Sequence, residues 1–326
     1  MHPAFSVIFL TTLIGAGQGL FLALFTVQCY ALVGLLPALP DGDMHVAGSV
    51  IALALLGAGL VASFFHLGRP ERAWRSAAQW RTSWLSREVI VLPAFMASVA
   101  LYGLLHALEW SPALVSLPSG RAIEPSFVVG MAGTVLAFAL FVCTGMIYAA
   151  VRFLAEWHTP LTPINYTLLG GASGFTLAAA LAALAAPQRV GFLAGWAIVL
   201  TVLAALGRFA SLWRNARLQP RSTIQTAIGV KHPQVVQKSQ GFMGGAFNTR
   251  EFFHGATPGV LRLVKPAFIV LAFVAPVLLL AAGRGEGSPA LLALAFALQY
   301  VGLLAERWFF FAQAQHPQNL YYQAAA

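Results

Sequence analysis

The chain alternates between long apolar stretches and short polar segments. An apolar stretch of about 20 residues is long enough to cross the hydrocarbon core of a bilayer as a helix. Proline, glycine and charged residues separate the stretches, as in PALPDGD at positions 37–43, and the spacing shows neither β-type alternation nor a regular repeat. The pattern predicts eight transmembrane helices, at about residues 5–36, 45–66, 88–108, 126–150, 163–186, 190–212, 266–283 and 289–311.

The composition restricts the class of protein. Hydrophobic residues make up 59% of the 326 residues and charged residues only 9%. A soluble globular domain carries about 25% charged residues, because its surface must be solvated. We therefore predict an all-α integral membrane protein, an eight-transmembrane-helix bundle that forms a single membrane domain over residues 1–326. An interfacial amphipathic segment and one long basic extramembrane connection, residues 213–265, complete the predicted fold.

The charged residues indicate how the bundle is oriented. The chain has 19 Lys and Arg residues against 10 Asp and Glu residues, a formal net charge of +9, which in a soluble protein would point to nucleic acid. Assigned to alternate sides of eight spans, 16 of these cations lie on the side of both termini and 3 lie on the other side. Cytoplasmic loops are enriched in Lys and Arg. We therefore expect a protein of the bacterial inner membrane with cytoplasmic termini, cytoplasmic basic loops and no nucleic-acid partner.

Two connections carry most of the cations. Residues 69–88, RPERAWRSAAQWRTSWLSRE, place Ala73 and Trp80 on one helical face and Arg72 on the opposite one, which is typical of an amphipathic segment at the membrane interface. The second connection, residues 213–265, is about 50 residues long, and long ordered loops often carry function. We expect a docking face for a partner protein here, with contact to membrane lipid as the alternative.

The ionisable side chains gather at the basic ends of the spans. No Asp, Glu, Lys, Arg or His lies near the middle of a predicted span, whereas ion-coupled transporters place such groups at the midplane. A quinone suits this arrangement, because its carbonyl oxygens accept hydrogen bonds, its redox cycle exchanges protons and its tail needs access to lipid. A histidine and a carboxylate can carry those protons. The residues predicted at that depth are His66, Glu88, Tyr148, Arg152, His254 and Glu306.

Metal and haem sites are the alternatives to a quinone. Two cysteines cannot hold an iron–sulfur cluster alone, since such a cluster usually needs four thiolates. Haem needs paired axial ligands, and His45 could pair with His106 on one side of the membrane, or His66 with His254 on the other. Neither pair is in the middle of a span. Haem b is therefore the less favoured cofactor, and the sequence predicts no metal-binding residues.

Two sequence motifs carry a family resemblance. FFHLGRPERAW at 64–74, followed by WLSREVI at 84–90, resembles the His-Leu-Gly-x-Pro-x-Arg-Ala and Leu-Ser-x-Glu pair of the dimethyl sulfoxide reductase anchor subunit (DmsC-like) family. The resemblance extends over the eight-span layout and the whole chain. GGAFNTREFFHG at 244–255 and AERWFFFAQAQHPQNLYY at 305–322 are similar to the branch that includes membrane subunits of cytoplasmic sulfite dehydrogenases.

The resemblance implies a three-subunit molybdoenzyme. In such a complex the catalytic subunit holds molybdopterin, the electron-transfer subunit holds iron–sulfur clusters, and a subunit of this kind anchors both and exchanges electrons with the quinone pool, ubiquinone or menaquinone. The resemblance also implies that His66 is the quinol-site histidine and Glu88 the motif glutamate, with Arg69, Arg81 and Trp84 as their neighbours.

The sequence leaves three functions to be compared. We expect electrons to pass from sulfite oxidation to quinone, with quinone oxidoreductase activity only as part of the complex. Quinol oxidation coupled to S- or N-oxide reduction is the alternative within the family. A polytopic transporter is the alternative from a different class, and it predicts activity without partners.

Overall fold

The protein is a bundle of long helices. The computed structural model describes residues 1–37, 42–118, 120–219, 222–236, 238 and 252–321. Within these ranges eight helices are long and apolar enough to cross a membrane, which confirms the predicted all-α bundle. They are α1 (Phe5–Leu32), α2 (Gly42–Phe64), α3 (Trp84–Ala107), α4 (Pro125–Ala149), α5 (Leu161–Ala185), α6 (Val190–Asn215), α8 (Pro258–Ile269 and Ala275–Glu286, joined by the π-helical turn Val270–Val274) and α9 (Pro289–Ala312).

The remaining elements are short. α7 (Ile224–Ile228) lies in the long connection, and 3-10 helices cover Pro70–Gln79, Pro187–Arg189 and Pro317–Tyr321. In the described residues the strands are β1 (Val115–Ser116) and β2 (Ala122–Ile123), which pair antiparallel between α3 and α4.

α1 and α5 form the centre of the bundle. In their most apolar segments 72% and 67% of the residues are buried inside the protein, against 28–39% for the other six helices. Membrane helices approach one another most closely through small residues, and Gly19 of α1 lies against Gly170 and Gly174 of α5 with no room for a Cβ atom. α1 contacts α2, α2 contacts α3, α3 contacts α4, and α4 contacts α5. A second series runs from α5 through α6 and α8 to α9, which contacts α5 again.

Two helices begin at least four residues earlier than hydropathy predicts. α3 begins at Trp84 rather than 88, because the Ser83 hydroxyl accepts a hydrogen bond from the Ser86 amide (3.3 Å) and caps the helix. α8 begins at Pro258 rather than 266, since proline is favoured at a first helical position. The last residues of the predicted connection 213–265 therefore belong to α8. An apolar window detects only the part of a helix inside hydrocarbon and misses its polar first turns.

The amphipathic segment takes a tighter helical form than its apolar spacing indicates. Residues Pro70–Gln79 form a 3-10 helix, so that side chains three positions apart share a face. Ala73 and Ser76 are partly buried, whereas Arg72 and Arg75 are exposed. Trp80, which the spacing placed on the same face as Ala73, is 53% exposed, so the predicted apolar face is only partly covered.

Candidate functional site

Five helices enclose a narrow cavity near the basic end of the bundle. Its polar lining includes Gln18 of α1, Glu88 of α3, Thr144 of α4, Tyr166 of α5 and Arg307 of α9. The last four each lie four or five residues from the helix end next to the basic connections, which corresponds to about 6–8 Å along the helix axis. The cavity is thus buried yet close to the aqueous surface.

Glu88 is the carboxylate of this cavity. It is buried, with 8% of its surface exposed, because the early start of α3 places it one turn inside the helix. The Thr144 hydroxyl donates a hydrogen bond to its Oε1. A carboxyl group within a transmembrane helix is costly to bury and usually marks a functional site.

Tyr166 and Arg307 form one wall of the cavity. The Arg307 guanidinium lies 3.6 Å from the centre of the Tyr166 ring, and the Tyr148 ring stacks on Tyr166 with the ring centres 5.6 Å apart. The Tyr166 hydroxyl is buried and forms no hydrogen bond of normal geometry with the described residues. Buried polar groups are almost always hydrogen-bonded, so this hydroxyl indicates a place for water or a ligand.

An ion-pair network holds Arg307 in place. Glu306 receives Arg208 Nε at 2.6 Å and Arg307 Nη1 at 3.2 Å, and all three side chains are at most 5% exposed. Two guanidinium groups therefore share one carboxylate in a buried position. Such charges are stable there only when they are paired, so the network fixes the guanidinium of Arg307 at the cavity.

The lining fits the chemistry of a quinone head group. Tyr166 and Arg307 offer hydrogen-bond donors, Glu88 can exchange a proton, and Leu10 and Phe141 supply apolar surface. The cavity is narrow, so a ring enters only when side chains shift, as they commonly do on binding.

The structure brings three of the predicted site residues together. Glu88 lines the cavity, Tyr148 stacks on its Tyr166 wall, and Glu306 pairs with Arg307. Tyr148 and Glu306 therefore act on the cavity through a neighbour and do not line it.

The other predicted site residues lie on the basic surface and do not line this cavity. The exposed ones are His66, Arg69, Arg81 and Arg152. Trp84 is half-buried, with the Arg87 guanidinium 4.3 Å from its ring centre. His254 is half-buried, and partial burial together with the nearby α-amino group lowers its pKa. Residues 244–251 of the GGAFNTREFFHG motif lie outside the described residues.

Sequence reasoning missed part of the lining. Thr144 and Tyr166 lie in apolar stretches where threonine and tyrosine are ordinary. Arg208, one of the 16 cations assigned to the basic side, is 2% exposed inside α6 and supports the cavity through Glu306. A usable signal was the opposite charge of Arg208 and Glu306 at the same end of two spans, which favours an ion pair.

The histidine pair of the far side forms a stacked cluster with Tyr102. The rings of His45 and His106 stack face to face with centres 4.4 Å apart, whereas two ligands of one iron lie on opposite faces of a haem. His45 Nδ1 lies 3.1 Å from the Tyr102 hydroxyl, which donates to Gln28 Oε1 at 3.0 Å. In the described part of the chain no group of three His, Cys, Asp or Glu side chains could hold a metal ion.

Comparison with known proteins identifies the family. The family of the DMSO reductase anchor subunit (DmsC) matches residues 1–322. The chain belongs to the DmsC family. A sulfite dehydrogenase subunit from Allochromatium vinosum is 57% identical over 326 residues, which cover 100% of both chains.

Family membership decides the general role. This DmsC-family protein is a multi-pass membrane anchor subunit of a molybdoenzyme complex, in which it assembles with catalytic and electron-transfer subunits. The match over almost the whole chain favours the anchor over the transporter that the hydropathy pattern left open.

Proposed function

We propose that this anchor subunit passes electrons from sulfite oxidation, carried out by its partner subunits, to a quinone bound in the Glu88 cavity. The observation that carries the proposal is the position of a buried carboxylate beside Tyr166 and Arg307 at the basic end of the bundle. The 57% identity to a sulfite dehydrogenase subunit supports sulfite as the source of electrons.

Each side chain of the cavity has a distinct role in this proposal. Arg307 and Tyr166 donate hydrogen bonds to the quinone oxygens and stabilise the negative charge that develops there as electrons arrive. Glu88 exchanges a proton with the bound quinone. His66, the histidine indicated by the family resemblance, exchanges protons with water at the surface, where its exposed position supports this role.

The basic face suits an electron-transfer partner. Three exposed or half-buried arginine–tryptophan pairs lie around the 3-10 helix, with the Arg75, Arg81 and Arg87 guanidinium groups 5.4, 5.4 and 4.3 Å from a tryptophan ring. Arginine and tryptophan are enriched in protein interfaces. We propose that the iron–sulfur subunit docks here, on the cytoplasmic side of the inner membrane, which keeps its cluster close to the quinone.

Replacement of Glu88 by glutamine tests the quinone site. In the complete complex, Glu88→Gln removes the proton-exchanging group but keeps the side-chain volume. We expect subunit assembly and sulfite oxidation with an artificial dye acceptor to be retained, and sulfite-driven quinone reduction to fall by about 100-fold or more. Glu124→Gln is the matched control, since Glu124 is a half-buried carboxyl at the start of α4 whose pKa burial raises.

The outcomes separate the alternatives. If the Glu88→Gln complex reduces quinone at the wild-type rate, Glu88 is not part of the quinone site. The same result for His66→Ala would show that His66 does not take part. If the complex oxidises quinol with an S- or N-oxide and does not oxidise sulfite, the electron direction is the reverse of the one proposed.

A further inference from the structure

A second polar cavity lies next to the Glu88 cavity. It opens among α5, α6 and α9, and its lining includes Glu156, Asn165, Tyr166, Arg208, Ser211 and Arg307. Nearly all of its lining residues are polar, whereas only about half of the residues that line the Glu88 cavity are polar. A polar cavity inside a membrane bundle is a place where water enters.

Buried polar atoms of this cavity lack a hydrogen-bond partner among the described residues. These are Arg208 Nη2 and Asn165 Oδ1. The Tyr166 hydroxyl is buried beside the Tyr148 side chain but makes no hydrogen bond of normal geometry. An unsatisfied buried polar group costs about 1–3 kcal/mol. Because bound water typically satisfies two to four such groups, and the cavity is wide enough for about one water molecule, these atoms indicate an ordered water.

The two cavities share a wall. Tyr166 and Arg307 line both of them. The hydroxyl of Tyr166 can accept a hydrogen bond from water on one side and donate one on the other, since a phenol is both donor and acceptor. Arg307 carries a fixed charge and cannot release its proton. Tyr166 is therefore the side chain through which a proton can cross the wall.

The outer end of the polar cavity reaches the basic face. Glu156 lies in the connection between α4 and α5 and is half-buried. Its carboxylate accepts a hydrogen bond from the backbone amide of Gln315 at 3.4 Å, in an exposed position. A carboxylate with one side toward water and the other toward a cavity is suited to collect protons.

We propose that the polar cavity is the proton-uptake path of the quinone site, from Glu156 through a bound water to Tyr166. The inference rests on the proposed function. Reduction of a quinone to a quinol consumes two electrons, supplied by the iron–sulfur subunit, and two protons, one for each carbonyl oxygen. The path delivers protons from the basic side of the membrane to a quinone in the Glu88 cavity, and Tyr166 replaces each proton that it gives up with one from the water behind it.

Two variants of the path test this inference in the complete complex. Glu156→Gln removes the proton-collecting group, and Asn165→Leu replaces the water-binding amide by an apolar side chain of similar size. The complex is reconstituted into vesicles with a pH-sensitive dye on the basic side, and sulfite drives the reduction of a short-chain quinone. We expect both variants to slow quinone reduction and proton uptake at least about tenfold, while the dissociation constant of the quinone stays within about twofold of the wild type.

Matched controls exclude general effects of the changes. Glu109→Gln alters an exposed glutamate of the connection between α3 and α4, and Thr167→Leu places a leucine on α5 outside both cavities. Wild-type rates for both controls, with lowered rates for both path variants, support the path. Wild-type proton uptake in Glu156→Gln and Asn165→Leu, or proton uptake from the opposite side, would overturn it. If the wild-type complex binds no quinone at all, the proposed function itself is wrong. The measurement of quinone binding therefore distinguishes failure of the proposed function from failure of the proton path.

Discussion

The buried ion-pair network is the least ordinary feature of this membrane protein. Arg208, Glu306 and Arg307 hold two positive charges and one negative charge where water is largely excluded. The Arg208 guanidinium also lies 5.7 Å from the Phe268 ring centre, a weak cation–π contact. Such a network is rarely the most stable packing of a core. Its position directly behind Arg307 indicates that it serves to orient that guanidinium.

Removal of the shared carboxylate should be costly. Glu306→Gln leaves two buried guanidinium groups without a counter-charge, and breaking a buried pair in this way costs about 3–5 kcal/mol. We expect thermal denaturation of the detergent-solubilised complex to show a clearly lowered Tm. The double variant Glu306→Gln with Arg208→Met removes both members of the closest pair and should recover only part of that loss, because the Arg307 guanidinium still lacks its counter-charge. Unchanged stability of the single variant would show that the network is not electrostatically coupled.

The central helices are held together by close backbone contact. A Cβ atom on Gly174 of α5 would overlap the backbone of Gly19 and Leu20 in α1, whereas one on Gly171 would meet only the Leu200 side chain, at 3.7 Å. The Glu88 cavity is lined by both helices. The distance between α1 and α5 therefore sets the width of the cavity.

Substitution at these two glycines of α5 should give effects of opposite sign. Gly174→Ala forces α1 and α5 apart, and overpacking of this kind costs about 1–3 kcal/mol. Gly171→Ala introduces an ordinary contact and gains up to about 1 kcal/mol of helix propensity. Comparison of the Tm of the two variants checks this prediction. If both variants are destabilised equally, the two glycines are needed for helix flexibility and not for the close approach of α1 and α5.

Much of the fold was predictable at the level of helices, and less of the site. Hydropathy locates eight spans because each must bury about 20 apolar residues in lipid. It cannot detect the polar first turns of α3 and α8, and so it placed Glu88 at the end of a span instead of one turn inside. The motif singled out Glu88, but Tyr166 enters the cavity through the packing of α5 against α1 and α9, which the composition of a single span does not encode.

The charges of the whole molecule are distributed unevenly when they are assigned by the order of the eight spans. On this assignment 16 of the 19 Lys and Arg residues fall on the side of both termini and 3 on the other side. The Glu88 cavity and the outer end of the polar cavity lie at the same basic end. Because cytoplasmic loops are enriched in Lys and Arg, we expect the basic end to face the cytoplasm. In that orientation the proposed partner docking and the proposed proton uptake both take place on the cytoplasmic side.

Cysteine labelling can establish this orientation. The two native cysteines, Cys29 and Cys143, lie inside spans and can be replaced by alanine. Ser111→Cys then places an exposed thiol between α3 and α4, and Ser222→Cys places one between α6 and α7 on the basic side. In intact spheroplasts we expect a membrane-impermeant maleimide to label position 111 and not position 222. After permeabilisation we expect it to label position 222 as well. The reverse pattern would place the basic face and its docking partner outside the cytoplasm, and the proton path would then draw on the other compartment.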